Sequence, residues 1–399
     1  MVRAACTIVS LNYLAYARTL CDSFLRFHPE CKFYVLLVDR LPKDVDLSNE
    51  KFELVPVEEL GIPNFQSIAF KYDILELNTN VKPTFLNALL ARGIDQVVYL
   101  DPDIFVYRTL DSVFDALSDQ SIVLSPHALS PNDDQSELIV LSCGVFNLGF
   151  VAVKKCAETD RFLSWWENRC LNLAFNEPRT GMFVDQKWIN LAPCFFDSVK
   201  ILKNPGCNMA YWNLHERQMS QDGGVWMVNQ SNPLEFFHFS GVSVDGGEKI
   251  SKFTDRFNLT NRPDLRSVFE DYRAQLINHG FRDSSTAKYA FGVFDNGQYI
   301  SRLARSMYAA NLERFGGENP FSSSSKFYVW AKKARLFSVR DSANSYTLKS
   351  YSKGDPRLRL LNGLLRAALR VMGADRYTVL LKYLSHISIL RNQSDVLIS

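Results

Sequence analysis

Residues 97–107 read Val97-Val98-Tyr99-Leu100-Asp101-Pro102-Asp103-Ile104-Phe105-Val106-Tyr107, an apolar and aromatic run broken by two carboxylates one residue apart. A buried carboxylate is costly unless it is hydrogen-bonded, paired with a cation or bound to a metal, so two this close require a partner. The β-branched and aromatic residues before Asp101 predict a strand. Pro102 biases its predecessor toward extended backbone and removes an amide donor, which places Asp101 at the exposed end of that strand. Both carboxylates can then converge on one cation as the chain leaves the sheet. Oxygen ligands suit magnesium or manganese better than zinc, and these ions usually neutralise substrate phosphates. A tight turn in which the aspartates cap backbone amides is the alternative that local sequence leaves open.

The neighbouring segments alternate. Ala5–Leu11 and Lys32–Asp39 read as strands on either side of a helix over Ala15–Pro29, and Phe52–Val57 reads as a third strand. A helix from the proline of "VKPTFLNALLAR" (Val81–Arg92) to Gly93 leads into the Val97–Leu100 strand. Ser121–His127 is another strand. In Gly144–Lys155, glycines flank Phe146-Asn147-Leu148 ahead of what reads as a final strand, and Glu158–Phe175 reads as a helix. Short apolar strands alternating with helices predict an α/β fold with a mostly parallel open sheet covered on both faces. Ligands in such sheets sit beyond the carboxyl ends of strands, where Asp39, Asp101 and Asp103 fall. No G-x-G-x-x-G follows the first strand and no G-x-x-x-x-G-K-[ST] occurs, which argues against dinucleotide oxidoreduction and P-loop hydrolysis.

Composition sets the remaining bounds. The 399 residues are 47% hydrophobic and 22% charged, as in an ordinary globular protein. Eight cysteines form no CxxC pair and read as free thiols in a reducing compartment rather than a disulfide framework. The N-terminus lacks the plan of a signal peptide and no apolar run reaches membrane-spanning length, so the expectation is a cytoplasmic protein. The net charge of +2 is unevenly spread: residues 326–399 hold 14 Lys or Arg against 4 Asp or Glu. With "LRLLNGLLRAALRVMG" (Leu358–Gly373) this predicts either a basic amphipathic tail that lies on anionic lipid or holds an anionic acceptor, or a packed helical extension with a solvated basic face. No zinc-finger spacing or other nucleic-acid module is present, so no nucleic-acid partner is expected. Residues 1–255 are expected to carry the chemistry and 256–399 to form a mainly helical extension.

The order "LDPDIFV", "FNLGFVAVKK", "DQKWIN" and "FHFSG", over roughly residues 5–255, resembles metal-dependent glycosyltransferases of the GT-A fold, particularly the family 8-like group that transfers sugars from sugar nucleotides. The resemblance implies that Asp101, Asp103 and His238 bind Mn2+ or Mg2+. It also implies that Asn147 borders the donor sugar, that Asp185 holds its hydroxyls and that Gln186 faces the anomeric centre. From local sequence alone, Asp185 reads equally as a helix-start cap and Gln186 as a packing amide. Ser10, Leu11 and Asn12 occupy the place where such folds receive a nucleotide base, with Tyr13 lining the pocket and Asp39 approaching the nucleoside. Lys71 and Lys82 are candidates for phosphate or acceptor contact, with plain solvation as the alternative. The family's His-x-x-Gly-x-x-Lys run is broken, because Val244 stands at the lysine position. Lys249 or Lys252 supplies the missing charge only if the intervening loop folds back.

The implied reaction is transfer from a nucleotide diphosphate-sugar to an acceptor hydroxyl of a glycan or a lipid-linked glycan, with retention of configuration. The proposed setting is cell-surface polysaccharide synthesis. Two alternatives stand beside it. A sugar nucleotidyltransferase would carry a glycine-rich basic loop after the first strand, which "VSLNYLAYAR" does not match. A non-catalytic carbohydrate-binding or scaffold protein would not need Asp101, Asp103, Asp185 and His238 together.

Overall fold

Seven strands build one sheet. In the computed structural model, which describes residues 1–42, 45–338 and 355–398, the strands begin with β1 (Arg3–Val9), β2 (Lys32–Leu37), β3 (Glu53–Pro56), β4 (Gln96–Leu100), β5 (Ile104–Val106), β6 (Ile122–Pro126) and β7 (Phe146–Lys154). All but β5 join the main sheet, in the order Val199–Ile201, β6, β7, β4, β1, β2, β3. Every pairing is parallel except those of β7, which runs antiparallel to both β4 and β6. The expected mostly parallel α/β sheet is therefore found. Its interior strands are apolar almost throughout, as a sheet covered on both faces requires.

The reversal of β7 positions the site. The carboxyl ends of β1, β2, β4 and β6 lie along one edge, and an antiparallel β7 begins there. Phe146-Asn147-Leu148 therefore opens beside the turn that follows β4, with Leu100 opposite Phe150 and the Asp101 amide donating to the Gly149 carbonyl at 2.7 Å. Two expectations need correction here. The strand includes Asn147 rather than starting after it, because Phe146 already pairs with Pro126. It is also not the last strand, since Val199–Ile201 adds an edge to β6.

The helices of this part of the chain are α1 (Leu14–Phe27), α2 (Phe65–Lys71), α3 (Ile74–Asn80), α4 (Lys82–Ala91), α5 (Asp111–Asp119), α6 (Asp134–Cys143) and α7 (Ala157–Leu173). In α1, Ala17, Leu20, Cys21 and Phe24 recur at helical spacing and are fully buried against the sheet. Each such large side chain contributes about 2 kcal/mol on leaving water. By contrast, α6 buries no residue, so its sequence has no one-sided apolar period. It is fixed at its start by Asp133, whose carboxylate accepts from the Ser136 amide at 3.0 Å.

Two compact units emerge: Met1–Pro63 with Ile74–Tyr289, and Asn64–Asp73 with Ala290–Ser399. The expected division at 255/256 thus falls inside the first unit. Helix Arg266–Asn278 buries Val268, Phe269, Tyr272 and Leu276 in one cluster with Phe105, Phe237 and Phe239. In the second unit, Phe70 of α2 is ringed by Phe294, Tyr308, Phe321 and Phe327 at centroid distances of 4.8–5.6 Å. The buried Arg305 donates to the carbonyls of Ala69, Phe70 and Tyr72, closing the C-terminal end of α2 where helical carbonyls lack partners.

Candidate active site

The acidic pair is held by three local devices. After β4 the chain turns tightly, with the Ile104 amide donating to the Asp101 carbonyl at 3.0 Å. Tyr99 lies two residues before Asp101 on the same strand face, and its hydroxyl donates to Asp101 Oδ1 at 2.6 Å. Beyond the turn, β5 pairs antiparallel with the strand Phe236–His238, setting His238 opposite Ile104, and the Phe239 amide donates to the Asp103 carbonyl at 2.8 Å. His238 Nε2 therefore comes within 2.9 Å of Asp103 Oδ1 and 3.9 Å of Asp101 Oδ2.

Gly149 makes room for that ring. A Cβ there would lie 2.3 Å from His238 Cε1. Burial works against a charged His238, but Asp103 and then Asp101 outweigh it, and its pKa is raised from the ordinary value.

These residues fit a divalent cation. One ligand atom from each of Asp101, Asp103 and His238 can be chosen with all three within 4.8 Å of one another. The side chains of Asp101 and Asp103 are 30% and 18% exposed, which leaves positions for an external ligand. His238 Nδ1 has no hydrogen-bond partner among the described residues, so no acceptor fixes the proton on that nitrogen. Such a cation would supply electrostatic neutralisation of an anionic ligand.

A second grouping, His28, Glu30 and Cys31, has similar spacing but does not fit a metal. His28 Nε2 accepts the Leu110 amide at 3.0 Å, and burial keeps the ring toward its neutral form. The proton then sits on Nδ1, the nitrogen facing Glu30 at 3.7 Å.

Beside the acidic pair lies a buried ion pair. Lys82 Nζ is 2.7 Å from Asp185 Oδ2, with the two side chains 1% and 2% exposed. The ammonium also donates to the Leu148 carbonyl at 2.6 Å and lies 4.3 Å from the centre of the Tyr99 ring. Burial pushes the Asp185 carboxyl up and Lys82 pulls it back, with the net direction upward. Gln186 is anchored at both ends of its carboxamide: Oε1 accepts from the Leu148 amide at 3.0 Å and Nε2 donates to the Cys143 carbonyl at 3.1 Å.

Val184, immediately before this pair, has φ 41° although it is β-branched and buried. That conformation costs about 1–3 kcal/mol and is kept only where the surroundings demand it. It is the strained residue that presents Asp185 and Gln186.

Asn147 is held by two partners not anticipated from sequence. Asn208 Nδ2 donates to its Oδ1 at 3.1 Å, and its own Nδ2 faces His127 Nε2 at 3.4 Å. Burial depresses the His127 pKa to about 4, so the ring is neutral and accepts at Nε2. Tyr99 was legible from the two-residue strand period. The roles of His127 and Asn208 had no such signal, because both depend on strand order.

On the β1 side, Ser10 Oγ donates to the Val38 carbonyl at 2.9 Å and accepts from Asn78 Nδ2 at 2.9 Å. The Leu11 amide donates to Asp39 Oδ2 at 3.3 Å, and Asn12 has a buried Oδ1 with no hydrogen-bond partner among the described residues. Tyr13 stacks on Tyr16 at 4.6 Å and is 38% exposed; burial, with Asp103 and Asp101, raises its phenol to about 12. Ser10–Tyr13 and Asp39 therefore lie along the same sheet edge as the acidic pair.

The 242–251 loop closes on its own backbone, and the contacts of its two lysines are local. The Lys252 amide donates to the Gly241 carbonyl at 2.9 Å, while its ammonium lies over the Phe253 ring and Lys249 pairs with Asp255. Lys71 is not on this edge of the first unit. It is buried in the second unit, with its pKa lowered to about 8 by burial and by Arg391.

Comparison with known proteins adds the following. No family model matches the chain. It is 29% identical over 283 residues to the uncharacterized protein YfnF of Bacillus subtilis (strain 168), covering 69% of this chain and 92% of that one. It is 25% identical over 276 residues to the uncharacterized protein YfnD of the same strain, covering 68% and 87%. Among solved structures it is similar to the galactosyltransferase LgtC in complex with donor and acceptor sugar analogs, at 17% identity and a TM-score of 0.38, over 68% of this chain and 95% of that one.

Proposed function

We propose that the protein is a metal-dependent glycosyltransferase that moves a sugar from a nucleotide diphosphate-sugar to an acceptor hydroxyl. The observation that carries this reading is the convergence of Asp101, Asp103 and His238 with Asn147 and the Lys82–Asp185 pair on one edge of a mostly parallel sheet. In that reading the three ligands hold Mn2+ or Mg2+ against the donor diphosphate. Ser10–Asn12, Tyr13 and Asp39 receive the nucleoside. Asn147 borders the donor sugar, Asp185 holds its hydroxyls and Gln186 faces the anomeric centre, while Lys252 would reach the diphosphate by turning away from the Phe253 ring. The ammonium of Lys82 sets the position and charge of Asp185 rather than reaching a phosphate itself.

The anchoring of these side chains bears on the mechanism. Asp185 is tied to Lys82, and Gln186 to two backbone groups, so neither is poised as a free nucleophile or base. That supports departure of the diphosphate and attack by the acceptor oxygen on the same face. The acceptor proton passes to the leaving phosphate oxygen and configuration is retained. A glycan or lipid-linked acceptor in surface polysaccharide synthesis is the setting we infer. Eight free cysteines support a cytoplasmic location.

The test is a panel of nucleotide diphosphate-sugars with and without manganese, run on the parent and on Asp103→Ala. One donor should be consumed by the parent only when metal is present, and the product anomer read by NMR should match the donor. Metal at about a hundred times its Kd should raise the parent's stability by about 2.7 kcal/mol and leave Asp103→Ala unmoved. Equal donor binding with and without metal across the panel would overturn the assignment.

A further inference from the structure

The helix Pro356–Ile387 belongs to the second unit, and none of its residues is buried. Its backbone breaks at Gly373, with φ 76° and ψ 168°, so it consists of two arms, Pro356–Met372 and Ala374–Ile387. Each arm has a pattern that an average over both conceals. At about 100° per residue, Arg359, Arg366 and Arg370 fall on one narrow strip of the first arm, while Leu361, Leu364, Leu365, Ala368 and Met372 fall on the opposite side. In the second arm Tyr377, Leu380, Leu381 and Leu384 share a side, away from Asp375, Lys382 and His386.

The apolar sides are open: Leu361 and Leu364 are 50% and 61% exposed. The first arm has four arginines and no acidic residue. Arg357 is held by Asp355 at 2.7 Å, whereas Arg359, Arg366 and Arg370 pair with no carboxylate among the described residues. A shallow groove of about 360 Å³, lined by Gly363, Arg366, Ala367, Arg370 and Val371, runs along the border between the basic and apolar sides. No helix among the described residues is long and apolar enough to cross a membrane.

We propose that this kinked helix docks on the surface of an anionic lipid bilayer, its leucine side in the acyl boundary and its arginine strip among the headgroup phosphates. Charge complementarity selects this occupant. A second copy would bring two arginine strips together with no acid on the first arm to meet them. A nucleic acid would leave the leucine side wet.

The experiment is sedimentation of the full chain with phosphatidylcholine vesicles, with and without phosphatidylglycerol. The parent should sediment with the anionic vesicles, less so as salt rises, and weakly with the neutral ones. Since each basic residue near the surface is worth about a five-fold change in binding, Arg359→Glu, Arg366→Glu and Arg370→Glu together should lower partitioning by about a hundredfold or more. Leu361→Ser with Leu364→Ser should also release the protein, while metal-dependent donor binding stays unchanged in both variants. Equal sedimentation with both vesicle types, or no loss in the arginine variant, overturns the proposal. So does a concentration-dependent dimer in the ultracentrifuge that only the leucine variant abolishes, because the occupant is then a second copy. Vesicle binding does not depend on sugar transfer, so the two readings fail separately.

Discussion

Replacing Lys82 with Met should destabilise the protein by an amount that depends on pH. The substitution keeps an unbranched side chain but leaves Asp185 Oδ2 without its partner at 2.7 Å and the Leu148 carbonyl without its donor. An uncompensated charge among side chains 1–2% exposed escapes its desolvation by taking up a proton, and the free energy of protonation sets a ceiling on the penalty. Starting from the ordinary carboxyl value of 3.8, protonation at pH 7 costs about 4.4 kcal/mol, whereas at pH 5 it costs only about 1.6 kcal/mol. The lost carbonyl bond adds about 1 kcal/mol at either pH.

The sign follows from proton counts. In the variant the folded pKa of Asp185 lies above the unfolded one, so the folded state holds the extra proton. Burial already holds the parent's Asp185 above 3.8, so the stability lost to Lys82→Met opens as pH rises past that raised parental value and grows toward the still higher value of the variant. Urea unfolding of the parent, Lys82→Met, Asp185→Asn and the double variant at pH 5 and 7 measures this directly. The double variant should lose much less than the two single losses combined. A loss that is equal at both pH values, or strictly additive, would refute the reasoning.

Gly149→Ala should drive His238 off the acidic pair, lowering manganese affinity at least tenfold in calorimetry and destabilising the fold by about 1–3 kcal/mol. The neutral His127 contributes stability that is fully present above its unfolded pKa of 6.5 and is lost as pH falls through about 4, an amplitude of about 3 kcal/mol. His127→Gln should flatten the stability curve between those limits. Val184→Gly should cost at least about 1 kcal/mol less than Val151→Gly in the middle of β7, because only the former relieves a left-handed backbone. Chemical denaturation of the two variants side by side decides this.

What could be read from sequence had a local cause. The acidic pair announced itself because Pro102 ends an apolar strand, and strand period sets Tyr99 on the same face as Asp101, where the fold shows their bond. His238 was reachable only through its aromatic flanks and the order of motifs, since its partners lie 135 and 137 residues earlier. Lys82 read as a surface or phosphate lysine because its burial and its partner come from packing with residues 148 and 185. Helix α6 escaped notice for the opposite reason: a helix with no buried face leaves no periodic trace.

The grafting of Asn64–Asp73 into the second unit has a consequence for biosynthesis. The next residues of that unit, from Ala290 onward, follow Asp73 only after 216 intervening residues have been translated. At elongation speeds of about 5–20 residues per second, Phe70 and its neighbours wait on the order of ten to forty seconds for the aromatic rings that bury them. During that interval the nascent chain carries Phe70 without the rings that bury it. A nascent α2 is therefore a segment that a chaperone can usefully hold until the second unit closes around it.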